Sequence, residues 1–364
     1  MSKGLNSYRA IAFFAILLLH LGWFEPGYLG VQAFFVLSGF LITPILVDMK
    51  SGLNKKSFFT HFYGRRALRI FPLYYVYIAG ISLIYMVFEL DNIPDMYHCY
   101  SQLPYTLSYT YNFYFATDYH GFSRACSHLW SLAVEEQFYI FWPFVIYFVS
   151  DKKLKPLLLW LIFLGPVWRF FIYFVTKNQL LDFLHERWDI IIYVLPFSHI
   201  DAFAIGGFFA LYRKKITALK TSVIIVSALI VTLLSEIITA EKPVGYYTEF
   251  THFMSDAYQF VWGYSLANVV FAVMLIQIRE KAFFSAFFEN SILCYLGTIS
   301  YGLYIFHFPI QSFLHGTLTS LPIIWVDIMI LLSTLLISAL SYELMEKRVV
   351  GLKDKYFSRS DLNR

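Results

Sequence analysis

Arg9 and His20 stand eleven positions apart in one apolar run near the start of the chain. At 100° and about 1.5 Å per residue, a helix would project both from the same face, with a rise of roughly 16 Å between them. A guanidinium binds anions, and an imidazole with a reference pKa near 6.5 accepts a proton from a hydroxyl at neutral pH. Such a stripe could hold an anion at one end and, at the other, act as a general base or form a transient acyl-imidazole. A second cationic group lies in FYGRRALRIFPLYY, where Arg66 and Arg69 share a face at i, i+3 and Arg65 adjoins them. Two guanidinium forks on one face suit a phosphate. In SHLWSLAVEEQFYIFWP, His128, Ser131 and Glu135 fall on one helical stripe while Glu136 points elsewhere. A carboxylate inside an apolar run is costly unless it is paired or lines a wet cavity, so Glu135 is either a partner for Arg or His, or an acid or base. Asp201 in FSHIDAFAIGG is a further in-run carboxylate, able to orient the His20 ring as Glu135 could. Arg169 is a lone cation within its run, and Ser300, Tyr304 and His307 in ISYGLYIFHFPI face one way. Each of these residues also has a structural reading: topology anchors for the arginines, hydrogen-bonded interior residues for the histidines, and close helix packing for Gly206 and Gly207.

The elements that must position these groups follow from composition. Of the 364 residues 59% are hydrophobic, 21% aromatic and 14% charged, against a usual charged share of about 25%. A cytosolic globular enzyme and a disordered chain are both excluded. The net charge of +4 is too small to imply nucleic acid. Ten apolar windows read as spans: Tyr8 to Phe24, Leu29 to Met49, Phe71 to Leu90, His128 to Ser150, Pro156 to Thr176, Ile190 to Tyr212, Thr217 to Ile238, Tyr258 to Ile278, Ile292 to Leu314 and Pro322 to Met345. The expected fold is therefore an all-α polytopic membrane helix bundle of about ten transmembrane helices. Basic residues fix its orientation, because RRALR, DKKLK, RKK and the C-terminal lysines and arginines then share one side, whereas Arg124, Lys177, Arg187 and Lys242 fall on the other. Both termini are expected in the cytoplasm, with residues 1–350 as one membrane domain and 351–364 as a short basic tail. The first run contains His20 and precedes no small-residue cleavage site, so it is expected to be retained. Pro104 to Ala116 is expected to be re-entrant or interfacial, since an extra span there would invert every later loop.

The loop from Asp91 to Ser127 carries Cys99 and Cys126, which would be oxidised outside the cytoplasm or stand as two free thiols. It also carries Tyr97, Tyr100, Tyr105, Tyr109, Tyr111, Tyr114 and Tyr119, rings that suit either an interfacial belt or stacking on sugar faces. His98, His120, Cys126 and His128 match no zinc spacing, and no metal is expected.

Taken in order, Arg9 and His20, GVQAFFVLSGFLI, RRALRIFPLYY, HLWSLAVEEQFYIFWP, ISYGLYIFHFPI and YELMEKR resemble the acyltransferase-3 family of integral membrane acyltransferases, over nearly the whole chain. The resemblance implies transfer of an acyl group, usually acetyl, from cytoplasmic acyl-coenzyme A to a hydroxyl of a cell-surface or lipid-linked glycan such as O-antigen or exopolysaccharide. It also implies residence in a bacterial cytoplasmic (inner) membrane. By the same resemblance His20 is catalytic, Arg9, Arg66 and Arg69 serve the donor, with Arg65 beside them, and Glu135 is a hallmark of the WSLxVE element. Some members carry a fused SGNH hydrolase-like domain after the membrane part, which this chain is expected to lack. The rival class is a secondary transporter or exporter of a small polar solute, but two similar halves and interrupted spans, common in that class, are not legible.

Overall fold

The computed structural model describes residues 3–88, 94–117, 123, 125–178, 180, 188–213, 216–239, 259–281 and 285–357. Tyr119, His120, Arg124, Arg187, Lys214, Lys215, Lys242 and the residues from 358 onward lie outside the described residues. The described residues are helical, with no strand among them. In chain order the helices are α1 (Lys3–His20), α2 (Leu29–Gly52), α3 (Lys55–Phe88), α4 (Pro94–Ser101), α5 (Leu103–Leu107), α6 (Tyr111–Thr117), α7 (Leu129–Phe148), α8 (Asp151–Lys177), α9 (Trp188–Val194), α10 (Ile200–Tyr212), α11 (Ala218–Thr239), α12 (Tyr264–Arg279), α13 (Ser285–Phe288), α14 (Ser291–Thr298), α15 (Ser300–Thr317), α16 (Ile323–Ser341) and α17 (Lys347–Tyr356). π-helical turns over Gln259–Gly263 and Tyr342–Glu346 precede α12 and α17.

Among the described residues, five helices are long and apolar enough to cross a bilayer, or six if α14 and α15, bent by 69°, count as one. The chain is thus an integral membrane protein. The remaining expected spans are helical but shorter, more polar or broken. The window from Ile190 breaks at Pro196, which starts a 3-10 turn before α10, because proline cannot supply the N–H that a continuous helix needs. α3 exceeds expectation in the opposite direction. Its 34 residues begin at Lys55 and extend about 51 Å, well beyond the roughly 30 Å of a hydrocarbon core. Arg65, Arg66 and Arg69 therefore sit inside a continuous helix rather than just before one.

The chain gathers into two compact units, each built from separated stretches: Met1–Ile45 with Val149–Gly297, and Leu46–Phe148 with Thr298–Arg364. In the first, α10 packs on α8, α12 and the start of α2. Gly39 and Gly206 make this closeness feasible, since a Cβ on Gly39 would lie 2.0 Å from the Phe203 carbonyl oxygen and one on Gly206 2.1 Å from that of Val36. The paired glycines are packing residues, as their sequence context suggests.

In the second unit, α15 packs on α16, and α17 packs on α3. The first residues of the expected C-terminal tail are therefore helix, docked on the helix that carries the arginines. Cys99 and Cys126 form a disulfide with Cα atoms 5.5 Å apart, tying α4 to the turn before α7. The helices between α3 and α7 have eight, five and seven residues, too few for any of them to cross a bilayer. Two of the loop tyrosines are structural rather than open to a sugar. Tyr109 is buried against Tyr74, ring centroids 4.3 Å apart, and buried Tyr111 donates to Gln102 Oε1 at 2.9 Å. Burial, with the charge of Glu136 adding to it, pushes the Tyr109 phenol well above its ordinary range. Tyr97 and Tyr105 are exposed.

Candidate active site

In the first unit, α1 runs unbroken from Lys3 to His20, so Arg9 and His20 belong to one rigid element as their spacing requires. Both side chains are half-buried, and Leu5, Tyr8, Ala12, Phe13, Ile16 and Leu17 bury the rest of the helix. His20 is the last helical residue, and the chain then turns through Gly22 in the left-handed region at φ 77°.

The same unit holds a wholly buried ion pair. Arg169 on α8 meets Asp201 on α10, both side chains at 0% exposure, through Nη1–Oδ1 at 3.0 Å and Nη2–Oδ2 at 2.9 Å. Arg169 also donates to the Ser198 carbonyl, to Ser265 Oγ at 2.7 Å, and to the Val261 carbonyl in the π-helical turn at 3.0 and 3.2 Å. Ser265 donates in turn to Asp201. Beside it, Gln32 Nε2 and His199 Nδ1 lie 2.7 Å apart, and His199 Nε2 donates to the Tyr193 carbonyl at 2.7 Å. Asp201 is thus a correction to the sequence reading: both its oxygens serve Arg169, because an unpaired buried guanidinium would cost several kcal/mol, roughly 3–5. It does not orient an imidazole.

In the second unit, α3 and α7 bring the cationic group to the carboxylate. The Arg66 guanidinium lies 4.0 Å above the Tyr139 ring, within cation–π range. Tyr139, one turn beyond Glu135 on α7, donates its hydroxyl to Glu135 Oε1. Arg69 shares this field, its charged neighbours being Arg66, Glu135 and Glu346. Glu346, in the π-helical turn before α17, accepts a hydrogen bond from Ser341 Oγ at 3.0 Å. Among the described residues neither Arg66 nor Arg69 is in an ion pair, and both are half-buried. Arg65 is engaged on another flank. It donates to the Phe357 carbonyl at 2.6 Å and pairs with Asp354 at 3.2 Å, because it emerges about 100° around the helix from Arg66 and faces α17.

The supporting residues also converge in this unit. Ser131 Oγ and the Tyr304 hydroxyl are 2.6 Å apart, Tyr304 donates to the His128 carbonyl at 3.1 Å, and the rings of His128 and His307 lie 5.6 Å apart. His128 precedes α7 instead of lying on it, and donates through Nε2 to the Ile305 carbonyl at 3.1 Å. Ser300 is buried on α15. The cluster joins the start of α7 to α15 as an internal polar seam.

Sequence reasoning missed Tyr139 and Glu346. The first was recoverable as i+4 from Glu135. The second stands in YELMEKR but falls in no regular stripe with the arginines, since its contact with them is across helices.

The site thus lies in an apolar helical membrane chain and sets a half-buried arginine pair beside a carboxylate that accepts a hydroxyl hydrogen bond. The chain belongs to the acyltransferase domain family, whose model matches residues 2–343. It is 28% identical to peptidoglycan O-acetyltransferase OatA of Listeria monocytogenes, over 97% of this chain and 58% of that protein. It is likewise 28% identical to O-acetyltransferase OatA of Staphylococcus aureus, over 94% of this chain and 56% of that protein. The chain thus spans little more than half the length of these relatives. No solved structure matches it.

Proposed function

We propose that this protein is a membrane O-acetyltransferase that moves an acetyl group from cytoplasmic acetyl-coenzyme A to a hydroxyl of a cell-surface or lipid-linked glycan. The observation that carries the reading is the Arg66–Tyr139–Glu135 arrangement with Arg69 alongside, in a chain of the acyltransferase family. A half-buried guanidinium pair in no ion pair retains its forks for an anion, and the phosphates of coenzyme A are such anions. Arg66, Arg69 and Arg9 are assigned to the donor. His20 takes the proton of the acceptor hydroxyl as the oxygen attacks the thioester carbonyl. The carbon–sulfur bond then breaks, and the departing thiolate takes the proton back from the imidazolium. An acyl-imidazole on His20 is the alternative route to the same products. In this reading the chain crosses a bacterial cytoplasmic membrane ten times with both termini inside, and the glycan meets it from the outer face. The names of the relatives favour peptidoglycan as the acceptor to try first.

The test is incubation of the purified protein in nanodiscs with radiolabelled acetyl-coenzyme A and either peptidoglycan fragments or lipid-linked glycans. Label is expected in the glycan with the wild type, and His20→Ala should lower its rate of appearance about 10²- to 10⁴-fold while leaving the melting temperature unchanged. Normal turnover in that variant would remove His20 from the chemistry. Absence of label from every glycan would overturn the reading as a whole.

A further inference from the structure

Three arginines lie within five residues of α3, and the structure sends one of them away from the other two. Arg65 Nη1 donates to the carbonyl of Phe357 at 2.6 Å and meets Asp354 at 3.2 Å. The Phe357 ring seats directly on Gly64, where an added Cβ would lie 2.2 Å from the ring's Cζ, and its edge meets His61 with centroids 5.9 Å apart. Further along, Glu346 is a charged neighbour of Arg69. The partners run in opposite directions along the two segments: 346 with 69, 354 with 65, and 357 with 64 and 61. The C-terminal segment therefore lies antiparallel along the arginine-bearing stretch of α3. Residues 347–357 also lie beyond the stretch that the family model matches.

We propose that Asp354–Phe357 is a strap that fixes the rotation and tilt of the arginine-bearing part of α3, and that Arg65 is a positioning residue held by the strap rather than a donor ligand. Arg65, Arg69 and Arg66 stand at 0°, 40° and 100° around the helix axis. Clasping Arg65 on one flank leaves Arg66 on the other, over Tyr139, with Arg69 between. The Arg65–Asp354 pair is 25% and 67% exposed, so its Coulombic part is weak and screened by salt. The carbonyl bond and the Phe357 seat carry most of the clasp. Gly64 has a direct reason to be glycine, since any side chain there displaces the ring.

This inference rests on the proposed donor role of Arg66 and Arg69, and its test separates the two. The Michaelis constant for acetyl-coenzyme A and kcat are measured on the full chain in nanodiscs for Arg65→Ala, Phe357→Ala, Gly64→Ala, the Arg65→Ala/Phe357→Ala double variant, and Arg65→Lys. Losing a hydrogen bond from a charged donor corresponds to about a tenfold effect. Arg65→Ala removes that bond, and Phe357→Ala and Gly64→Ala unseat the segment whose backbone carbonyl accepts it, so each is expected to raise the Michaelis constant about tenfold with kcat within about twofold. The double variant should be no worse than either single, because both remove one clasp. Arg65→Lys, which still reaches Asp354 and the carbonyl, should keep most of the affinity. A silent Phe357→Ala, or effects that multiply to about a hundredfold in the double variant, would overturn the strap and return Arg65 to the donor. Gly64→Ala adds one methyl and gives the same answer should Phe357→Ala fail to fold. If Arg66→Ala/Arg69→Ala leaves the Michaelis constant for the donor unchanged, the donor reading itself fails, whatever the strap variants do.

Discussion

Arg169 and Arg66 present the same guanidinium to opposite surroundings. In the first unit Arg169 is fully buried, and carboxylate, hydroxyl and two backbone carbonyls surround it. Its charge is neutralised and no edge is left for a ligand. In the second unit Arg66 has the face of Tyr139 beneath it, and Glu135 and Glu346 nearby accept hydroxyl hydrogen bonds from Tyr139 and Ser341. Among the described residues neither Arg66 nor Arg69 is in an ion pair. In an apolar chain, a buried charge is evidence of function only when its hydrogen-bonding capacity is not already filled.

That contrast breaks first at Arg169. Arg169→Ala strands Asp201 in the interior and is expected to cost about 3–5 kcal/mol of stability, read as loss of folded, monodisperse protein or a large drop in melting temperature in detergent. A variant that melts normally would show that the pair is not a staple. Next in size is the disulfide of the second unit. Reduction, or Cys99→Ser with Cys126→Ser, should cost about 3.5 kcal/mol by the chain-entropy account, read as a lower melting temperature with the first unit's ion pair untouched. The Arg66→Ala/Arg69→Ala variant should behave in the reverse manner to Arg169→Ala. Its melting temperature should hold while the Michaelis constant for acetyl-coenzyme A rises about a hundredfold, two charge-assisted contacts being lost. The wild-type constant should rise with salt as well, as charge-assisted binding at a half-exposed site requires. A fall confined to the acceptor side would contradict the assignment. The smallest effect is expected from Tyr139→Phe. It keeps the ring under Arg66 and removes the hydroxyl held by Glu135, about 1 kcal/mol or several-fold in donor affinity; an effect as large as that of the double arginine variant would mean the hydroxyl itself takes part in the chemistry.

Much of this was legible in order along the chain. Apolar windows located the helices, the spacing of Arg9 and His20 placed them on one unbroken helix, and the polar runs around residues 131 and 304 pointed to groups that do meet. The contacts of Asp201 and Arg65 were not legible for one reason: sequence pairs each with the nearest chemistry along the chain. The partner that claims each comes from another helix, Arg169 for Asp201 and the 354–357 segment for Arg65. α3 is longer than its apolar window because Lys55, Lys56, Arg65, Arg66 and Arg69 depress local hydropathy without interrupting helical backbone geometry.

The sequence by itself determined what is local: helical class, membrane character, and which side chains share a face, because these follow from hydropathy and a period of 3.6 residues that any eighteen-residue window contains. Only the tertiary structure decided which charges are silenced and which remain open. That depends on which helix lies beside which, and a carboxylate thirty or three hundred positions away leaves no trace in the window around an arginine. Arg169 is closed because Asp201 packs against it, and Arg65 because Phe357 and Asp354 do. Arg66, by contrast, lies over the Tyr139 ring, and among the described residues neither it nor Arg69 is in an ion pair.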